Sequence, residues 1–296
     1  MADMPNVNQT DATEEDGYLS EGPVPMHTAE LYPRSGSVHS VPQLRDVDDR
    51  AIQTFLDQGY LVVDQGLDAG EVEAAGSGLY DLIDGKYPDF RSITVESEAK
   101  AAFKTMAVRE RREVVRKVFN FIDVEPNLTA LSKHKAILGV VGRMMDDEPA
   151  MLQDMAMLKP ARIGREKPWH QDCAYFNVPT GSVVVGVWVA LDQATIENGC
   201  LSVIPESHKQ GPHPHFKMRD WQICDTEVQV ERGVPVPLEP GGLLFWHGLT
   251  HHGSPANTSD EGRRGIQLHY HPAGMGEMTT EERMGLFGGE GLGMTC

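Results

Sequence analysis

Apolar and polar positions follow two periods along this chain. Between residues 46 and 145 the spacing is mainly helical, and after Pro149 short β-prone runs take over. Residues 49–56 predict a short helix stopped at Gly59, 60–63 a strand, and 68–82 a second helix with Asp68 as N-cap. Residues 96–119 predict a longer helix. Phe103, Met106, Val114, Val115 and Val118 form its apolar stripe, and Lys100, Lys104, Arg109, Arg111, Arg112 and Arg116 its solvated face. A further helix is expected over 128–145, split near Gly139 or Gly142. Strands are expected at 151–159, 183–191, 200–205, 242–246 and 265–271, separated by Gly, Pro, Asn and Ser. Helices followed by a run of strands predict an α+β chain built on a β-sandwich or closed barrel. The natural form is a double-stranded β-helix (jelly roll) with flanking N-terminal helices.

Residues 1–45 read differently. Seven acids (Asp3, Asp11, Glu14, Glu15, Asp16, Glu21, Glu30) precede the first basic residue, Arg34, and prolines 5, 23, 25, 33 and 42 break any period. An acidic, proline-containing arm is expected there, with one domain over 46–296.

Charge narrows the list of partners. With 26 basic and 44 acidic residues the net charge is 26 − 44 = −18, which repels phosphate backbones and disfavours nucleic acid. No apolar run approaches the roughly 18 residues of a spanning helix, so no membrane role is expected. The start Met-Ala-Asp-Met-Pro lacks the basic and apolar parts of a signal peptide. The four cysteines (Cys173, Cys200, Cys224, Cys296) form no CxxC pair, which points to reduced thiols and a cytoplasmic protein.

The chemistry centres on His170 and Asp172, two residues apart. In an extended segment both side chains project to one side. Such a pair alone is weak, but a segment with His247, His251 and His252 lies downstream and offers a third ligand. Two imidazoles and one carboxylate without thiolate suit Fe(II) and leave coordination positions open. Arg263 adds a planar, permanent cation for a dicarboxylic co-substrate.

These residues sit in an ordered series of motifs. Phe55-Leu56-Asp57-Gln58-Gly59-Tyr60-Leu61-Val62-Val63 comes first, then Lys159-Pro160 and Lys167-Pro168-Trp169-His170-Gln171-Asp172-Cys173-Ala174-Tyr175-Phe176. Val187-Trp188-Val189-Ala190-Leu191, Glu197-Asn198-Gly199-Cys200-Leu201 and Ile204-Pro205-Glu206-Ser207-His208-Lys209 follow, with His252-Gly253-Ser254-Pro255-Ala256-Asn257 and Arg263-Arg264 last. Over residues 50–296 the chain resembles the phytanoyl-CoA dioxygenase family of Fe(II)/2-oxoglutarate oxygenases. The resemblance implies a jelly roll with His170, Asp172 and His252 as iron ligands, selecting His252 over His247 and His251. It implies that Arg263 holds the far carboxylate of 2-oxoglutarate, with Arg264 a structural neighbour. Ser254, Trp188 and Lys117 match positions around that co-substrate, and Gln153, sharing a strand face with Met155 and Met157, is expected in the same pocket. Glu206 stands where the family commonly has glycine. The implied reaction consumes O2 and 2-oxoglutarate, releases succinate and CO2, and hydroxylates a C–H bond of a small organic molecule. An intact Asp172, where related halogenases carry a small residue, favours hydroxylation.

Two other functions fit parts of this pattern. A cupin-like metal-binding jelly roll without oxygenase activity would need no clamp such as Arg263. An iron oxygenase that uses its substrate in place of 2-oxoglutarate would form no succinate. The remaining histidines have simpler readings: His208 as a loop-fixing residue, His213 and His215 as exposed, His269 and His271 as hydrogen-bonding residues on one strand. Cys173 and Trp246 are expected only to pack.

Overall fold

The computed structural model describes residues 19–20, 25–96, 99–289 and 295–296, so residues 1–18 and 21–24 of the acidic arm lie outside the described residues. Regular structure begins ahead of residue 46. β1 (Leu19–Ser20) pairs with a later strand, and β2 (Ser40–Gln43) lies parallel to β3. Tyr32 is buried and stacks on Trp169 with ring centroids 5.4 Å apart, while Trp169 Nε1 donates to the Leu31 carbonyl at 2.7 Å.

α1 (Asp49–Gln58) begins where the Asp48 carboxylate accepts from Ala51 N at 2.8 Å. It ends at Gly59, whose φ of 81° suits the left-handed cap. β3 (Tyr60–Gln65) and α2 (Ala69–Ile83) follow, the latter opened by a reciprocal Asp68–Glu71 capping box with both bonds at 2.9 Å.

The long helix expected over 96–119 does not form. After β4 (Ile93–Val95), that stretch holds a series of turns among its described residues, the short α3 (Val108–Arg112) and β5 (Val115–Phe119). The apolar stripe matched a helical period by coincidence. Sheet pairing of β5 with β4 and β6 wins, as β-branched residues at 114, 115 and 118 favour. Arg116, expected on the solvated face, is buried at 3% exposure, so its placement there is corrected; Lys117 beside it is 6% exposed. The next expected helix divides into α4 (Pro126–Ser132) and α5 (Lys135–Met145). The break falls at Lys133 and His134, not at a glycine, because His134 Nδ1 caps α5 by accepting from Ile137 N at 3.3 Å.

The remaining elements are β6 (Pro149–Lys159), β7 (Lys167–His170), β8 (Val185–Ala190), β9 (Leu201–Val203), β10 (His215–Lys217), β11 (Trp221–Ile223), β12 (Val234–Val236), β13 (Leu243–His247), β14 (His252–Ser254), β15 (Arg263–Pro272) and α6 (Thr280–Phe287). A nine-stranded sheet has the order β1-β4-β5-β6-β15-β8-β13-β3-β2, and a four-stranded sheet the order β12-β9-β14-β7. These two layers make the jelly roll, and β10–β11 forms a separate hairpin. Strand alternation sorts the side chains. Val187 and Val189 of β8, Phe245 of β13 and Ile266 and Leu268 of β15 pack against Phe55, Leu79 and Val141 of the helices. Trp188, Leu244 and Trp246 turn the other way, toward Leu201 and Val203 of the smaller sheet.

One expectation about the cysteines is overturned. Cys224 and Cys296 are joined in a disulfide, spanning 72 residues of chain without any local motif. Cys173 and Cys200 are free and buried, and burial pushes the Cys200 thiol up to about 11. Disulfides are uncommon in the cytosol, so the compartment reading that rested on reduced thiols loses that support. Among the described residues no helix is long and apolar enough to cross a membrane.

Candidate metal and co-substrate site

β7 and β14 are antiparallel neighbours, and their register sets His252 directly opposite His170. The ring centroids are 4.2 Å apart. Asp172 lies just past β7, in the short 3-10 turn Asp172–Ala174, rather than in a continuing strand. It still reaches the same point: Asp172 Oδ1 is 3.4 Å from His170 Nε2 and 3.5 Å from His252 Nε2. The three ligand atoms all lie within 4.8 Å of one another, and all three residues are buried.

The imidazoles are oriented from behind. His170 Nδ1 donates to the Pro168 carbonyl at 2.8 Å, and His252 Nδ1 to the Thr250 carbonyl at 3.0 Å. Each ring therefore presents Nε2 to Asp172. Burial lowers the pKa of both, that of His252 to about 3, so neither takes a second proton at neutral pH. Burial alone would raise Asp172, but His252, His269 and its hydrogen bonds hold it well below the usual carboxylate range. Three lone pairs thus face one another in a buried space, an arrangement that a divalent cation stabilises. Cys173 points elsewhere, into a cluster with Ala174, Phe176, Val184 and Phe287, so no thiolate joins the set.

The residue between the first two ligands anchors them. Gln171 Nε2 donates to the carbonyls of Gly211 and Leu249, both at 2.8 Å, and its Oε1 accepts from His213 N at 2.8 Å. Its backbone N–H donates to His215 Nε2 at 3.0 Å, and His215 is fully buried, not exposed. His251 and His247, the other histidines near His252, take no part in the metal group; His247 packs on His208 at 5.3 Å.

All eight candidate residues line one cavity of about 630 Å3, counting its open mouth: His170, Asp172, His252, Arg263, Ser254, Trp188, Lys117 and Gln153. Arg263 comes from β15, where alternation also turns Gln267 and His269 inward. It is 3% exposed, its guanidinium lies 5.1 Å from the Trp188 ring, and Nη2 donates to the Gly199 carbonyl at 2.5 Å. Its Nε has no partner, and no carboxylate pairs with it among the described residues. Burial lowers its pKa to about 10, which still leaves it charged. Arg264 behaves differently, binding Asp192 through Nε at 2.8 Å and Nη2 at 2.7 Å. Gly265 makes room for the assembly, since a Cβ there would sit 2.3 Å from the Trp188 indole. A buried guanidinium without a carboxylate partner is costly unless an anion meets it, and the cavity is where one could reach Arg263.

Lys159, from the Lys-Pro motif, is buried and structural. Its ammonium donates to the carbonyls of Arg165 at 2.8 Å, Ser254 at 3.2 Å and Pro255, which fixes the end of β14. Lys167 lines the cavity, paired with Asp220 at 2.7 Å and bonded to Tyr175 Oη at 3.0 Å. The motif reading included Lys167 and Gln171 without giving either a role, did not name Asp220, and gave Trp246 only a packing role. Trp246 Nε1 and His269 Nε2 both donate to Asp172 Oδ2, at 2.6 and 2.8 Å. Inward alternation on β13 and β15 was the one signal that could have shown this.

Comparison with known proteins gives a consistent picture. Residues 55–265 match the family model described as Phytanoyl-CoA dioxygenase (PhyH). Phytanoyl-CoA dioxygenase domain-containing protein 1 of Danio rerio is 26% identical over 258 residues, covering 75% of this chain and 89% of the relative. A probable phytanoyl-CoA dioxygenase of Caenorhabditis elegans is 27% identical over 257 residues, covering 81% and 77%. Among solved structures, the epimerase SnoN in complex with Fe3+, alpha ketoglutarate and nogalamycin RO has a TM-score of 0.60 at 23% identity, covering 78% of this chain and 86% of its own. The non-heme alpha ketoglutarate dependent carbocyclase SnoK gives 0.60 at 19% identity, covering 81% and 90%. At these identities the structural likeness carries the jelly-roll fold.

Proposed function

The chain belongs to the phytanoyl-CoA dioxygenase family, and from that premise we propose that it is a non-haem Fe(II), 2-oxoglutarate-dependent dioxygenase that hydroxylates a C–H bond of a small organic molecule. The observation that carries this reading is one cavity holding both a His-Asp-His donor set and a buried guanidinium with no carboxylate partner. A metal-binding jelly roll without oxygenase activity has no use for the second of these.

In this reading His170, Asp172 and His252 hold iron by Nε2, Oδ1 and Nε2. The bound iron and 2-oxoglutarate together supply the oxidising power, with succinate and CO2 as by-products. Arg263 grips the far carboxylate of 2-oxoglutarate through its unpaired edge, and Trp188 packs on the guanidinium to limit its orientations. Ser254, on the strand that begins with His252, offers a hydroxyl beside that carboxylate. Lys117, from β5, adds a second cation, and Gln153, from β6, an amide. The apolar side chains of Met155, Met157 and Phe176 line the space left for the substrate and exclude water from it.

The test is turnover of the purified protein with Fe(II), 2-oxoglutarate, O2 and a metabolite extract, with products read by mass spectrometry. One succinate should form for each product heavier by one oxygen. Product without succinate would instead indicate an oxygenase that oxidises its substrate unaided by the keto acid. Arg263→Ala should raise the KM for 2-oxoglutarate by about 10- to 150-fold, the worth of a lost charge-assisted bond. An unchanged KM would remove Arg263 from the site.

A further inference from the structure

We infer that Trp246 and His269 are positioning residues that make Asp172 present a single oxygen to the metal. The inference rests on the iron-site reading above and extends it, because neither residue is a ligand. Asp172 Oδ2 accepts from Trp246 Nε1 at 2.6 Å and from His269 Nε2 at 2.8 Å. Oδ1 is the oxygen facing the two histidine ligands, at 3.4 and 3.5 Å. A carboxylate oxygen has about two lone-pair sites, so two donors occupy Oδ2 fully. Both donors are 0% exposed, which prevents water from substituting for either.

The proton on His269 is placed by its surroundings. Its Nδ1 is enclosed with no partner. A proton there would be a buried unpaired donor and would leave the Nε2 lone pair against a carboxylate oxygen. The proton therefore sits on Nε2 and points at Asp172. Gln267 Nε2 lies 3.3 Å from the same nitrogen, farther than the carboxylate at 2.8 Å, so Asp172 is the nearer partner. The imidazole is held edge-on by Phe176 at 5.1 Å and Trp246 at 5.6 Å, so it has no room to swing away. The two donors arrive on β13 and β15, both strands of the large sheet, whereas His170 and His252 come from the small one. Asp172 is thus clamped between the layers.

The consequence is the number of coordination positions left open. An octahedral ion bound by two imidazoles and one carboxylate oxygen keeps about three positions, enough for a chelating keto acid and a further ligand. If Oδ2 were released it could turn onto the metal, and about one of those positions would be lost. The geometry reserves Oδ2 for the protein and keeps the site open.

Mn(II) reports this without turnover, because its inner-sphere waters are countable by water-proton relaxation. The wild-type protein should hold about three. His269→Leu, which removes the donor, should hold about two, and 2-oxoglutarate should bind the Mn(II) form about 10-fold more weakly or worse. His269→Gln, whose amide can still donate, should restore both values; a purely structural role would not separate Gln from Leu in this way. Trp246→Phe should behave like His269→Leu and serves in its place if that variant does not fold. Wild-type hydration in His269→Leu or in Trp246→Phe would overturn the inference. A wild-type protein that fails to bind Mn(II) at all would instead remove the metal-site reading beneath it.

Discussion

Glu206 carries a backbone conformation that usually falls to glycine, with φ at 63° and ψ at 2°. An L-residue there crowds its Cβ against the backbone, at about 1–2 kcal/mol. The turn is held nonetheless, by Glu206 N donating to the Gln58 carbonyl at 2.8 Å and by an exposed pair with Lys209 at 3.1 Å. Glu206→Gly should therefore stabilise the fold by about 1 kcal/mol, after the greater freedom of glycine in the unfolded chain is counted. A urea melt checks this, and an unchanged or lower midpoint would refute it. The sequence flagged this position only as a departure from the family, because a single residue does not declare its φ. The ligands were far more legible. His170 and Asp172 are near neighbours, and His252 is marked by Gly253 and Ser254. What could not be read was how each ligand is oriented. Gln171, Trp246 and His269 act through contacts between segments 44 to 97 residues apart.

At the scale of elements, strands with strict alternation were read well and the region between the helices was not. β15 turns Arg263 and Gln267 to the cavity, His269 to Asp172, and Ile266 and Leu268 to the helices, a pattern visible in the sequence once the strand is recognised. In residues 96–119 the apolar positions satisfied a helical stripe, yet residues 115–119 lie between two strands that only the folded sheet supplies. The carboxyl-terminal segment shows a second effect of long-range closure. Arg283 of α6 reaches the turn that carries Asp172, donating to Ala174 O at 2.5 Å and to Asn177 Oδ1 at 2.8 Å. The Cys224–Cys296 disulfide fastens the chain beyond α6 to the end of β11. Closing a 72-residue loop restricts the unfolded chain by about 4 kcal/mol in the chain-entropy account. Cys224→Ser should lower unfolding stability by about that amount without reductant, and dithiothreitol should bring the parent protein down to the variant. Four titratable thiols in the denatured, non-reduced protein would contradict the pairing.

For the whole molecule, net charge and buried histidines pull stability in opposite directions as pH falls. The chain carries −18 at neutral pH, so protonating carboxylates relieves self-repulsion, mostly near and below pH 4. The histidines act earlier. Burial lowers His247 to about 4 and His251 to about 3, and it also lowers His208 and His215. Their folded values lie below the unfolded value near 6.5, so the unfolded chain takes up more protons in that window. Stability is therefore complete above about pH 6.5 and is lost as pH falls toward 4, by at most about 1.4 kcal/mol per pH unit for each such histidine. Urea midpoints of the metal-free protein should drop between pH 7 and 5; a flat or rising profile would show that these rings are not held neutral.

Neutral imidazoles at His170 and His252 are likewise what a metal requires, and the iron-site reading stands on these two rings together with Asp172. Anaerobic Fe(II) titration, followed by calorimetry, of the wild-type protein and of Asp172→Ala and His252→Ala is the direct measurement. We expect about one iron per chain in the wild type, with affinity reduced at least about 100-fold in either variant and 2-oxoglutarate binding dependent on iron. Undiminished iron binding in either variant would contradict it.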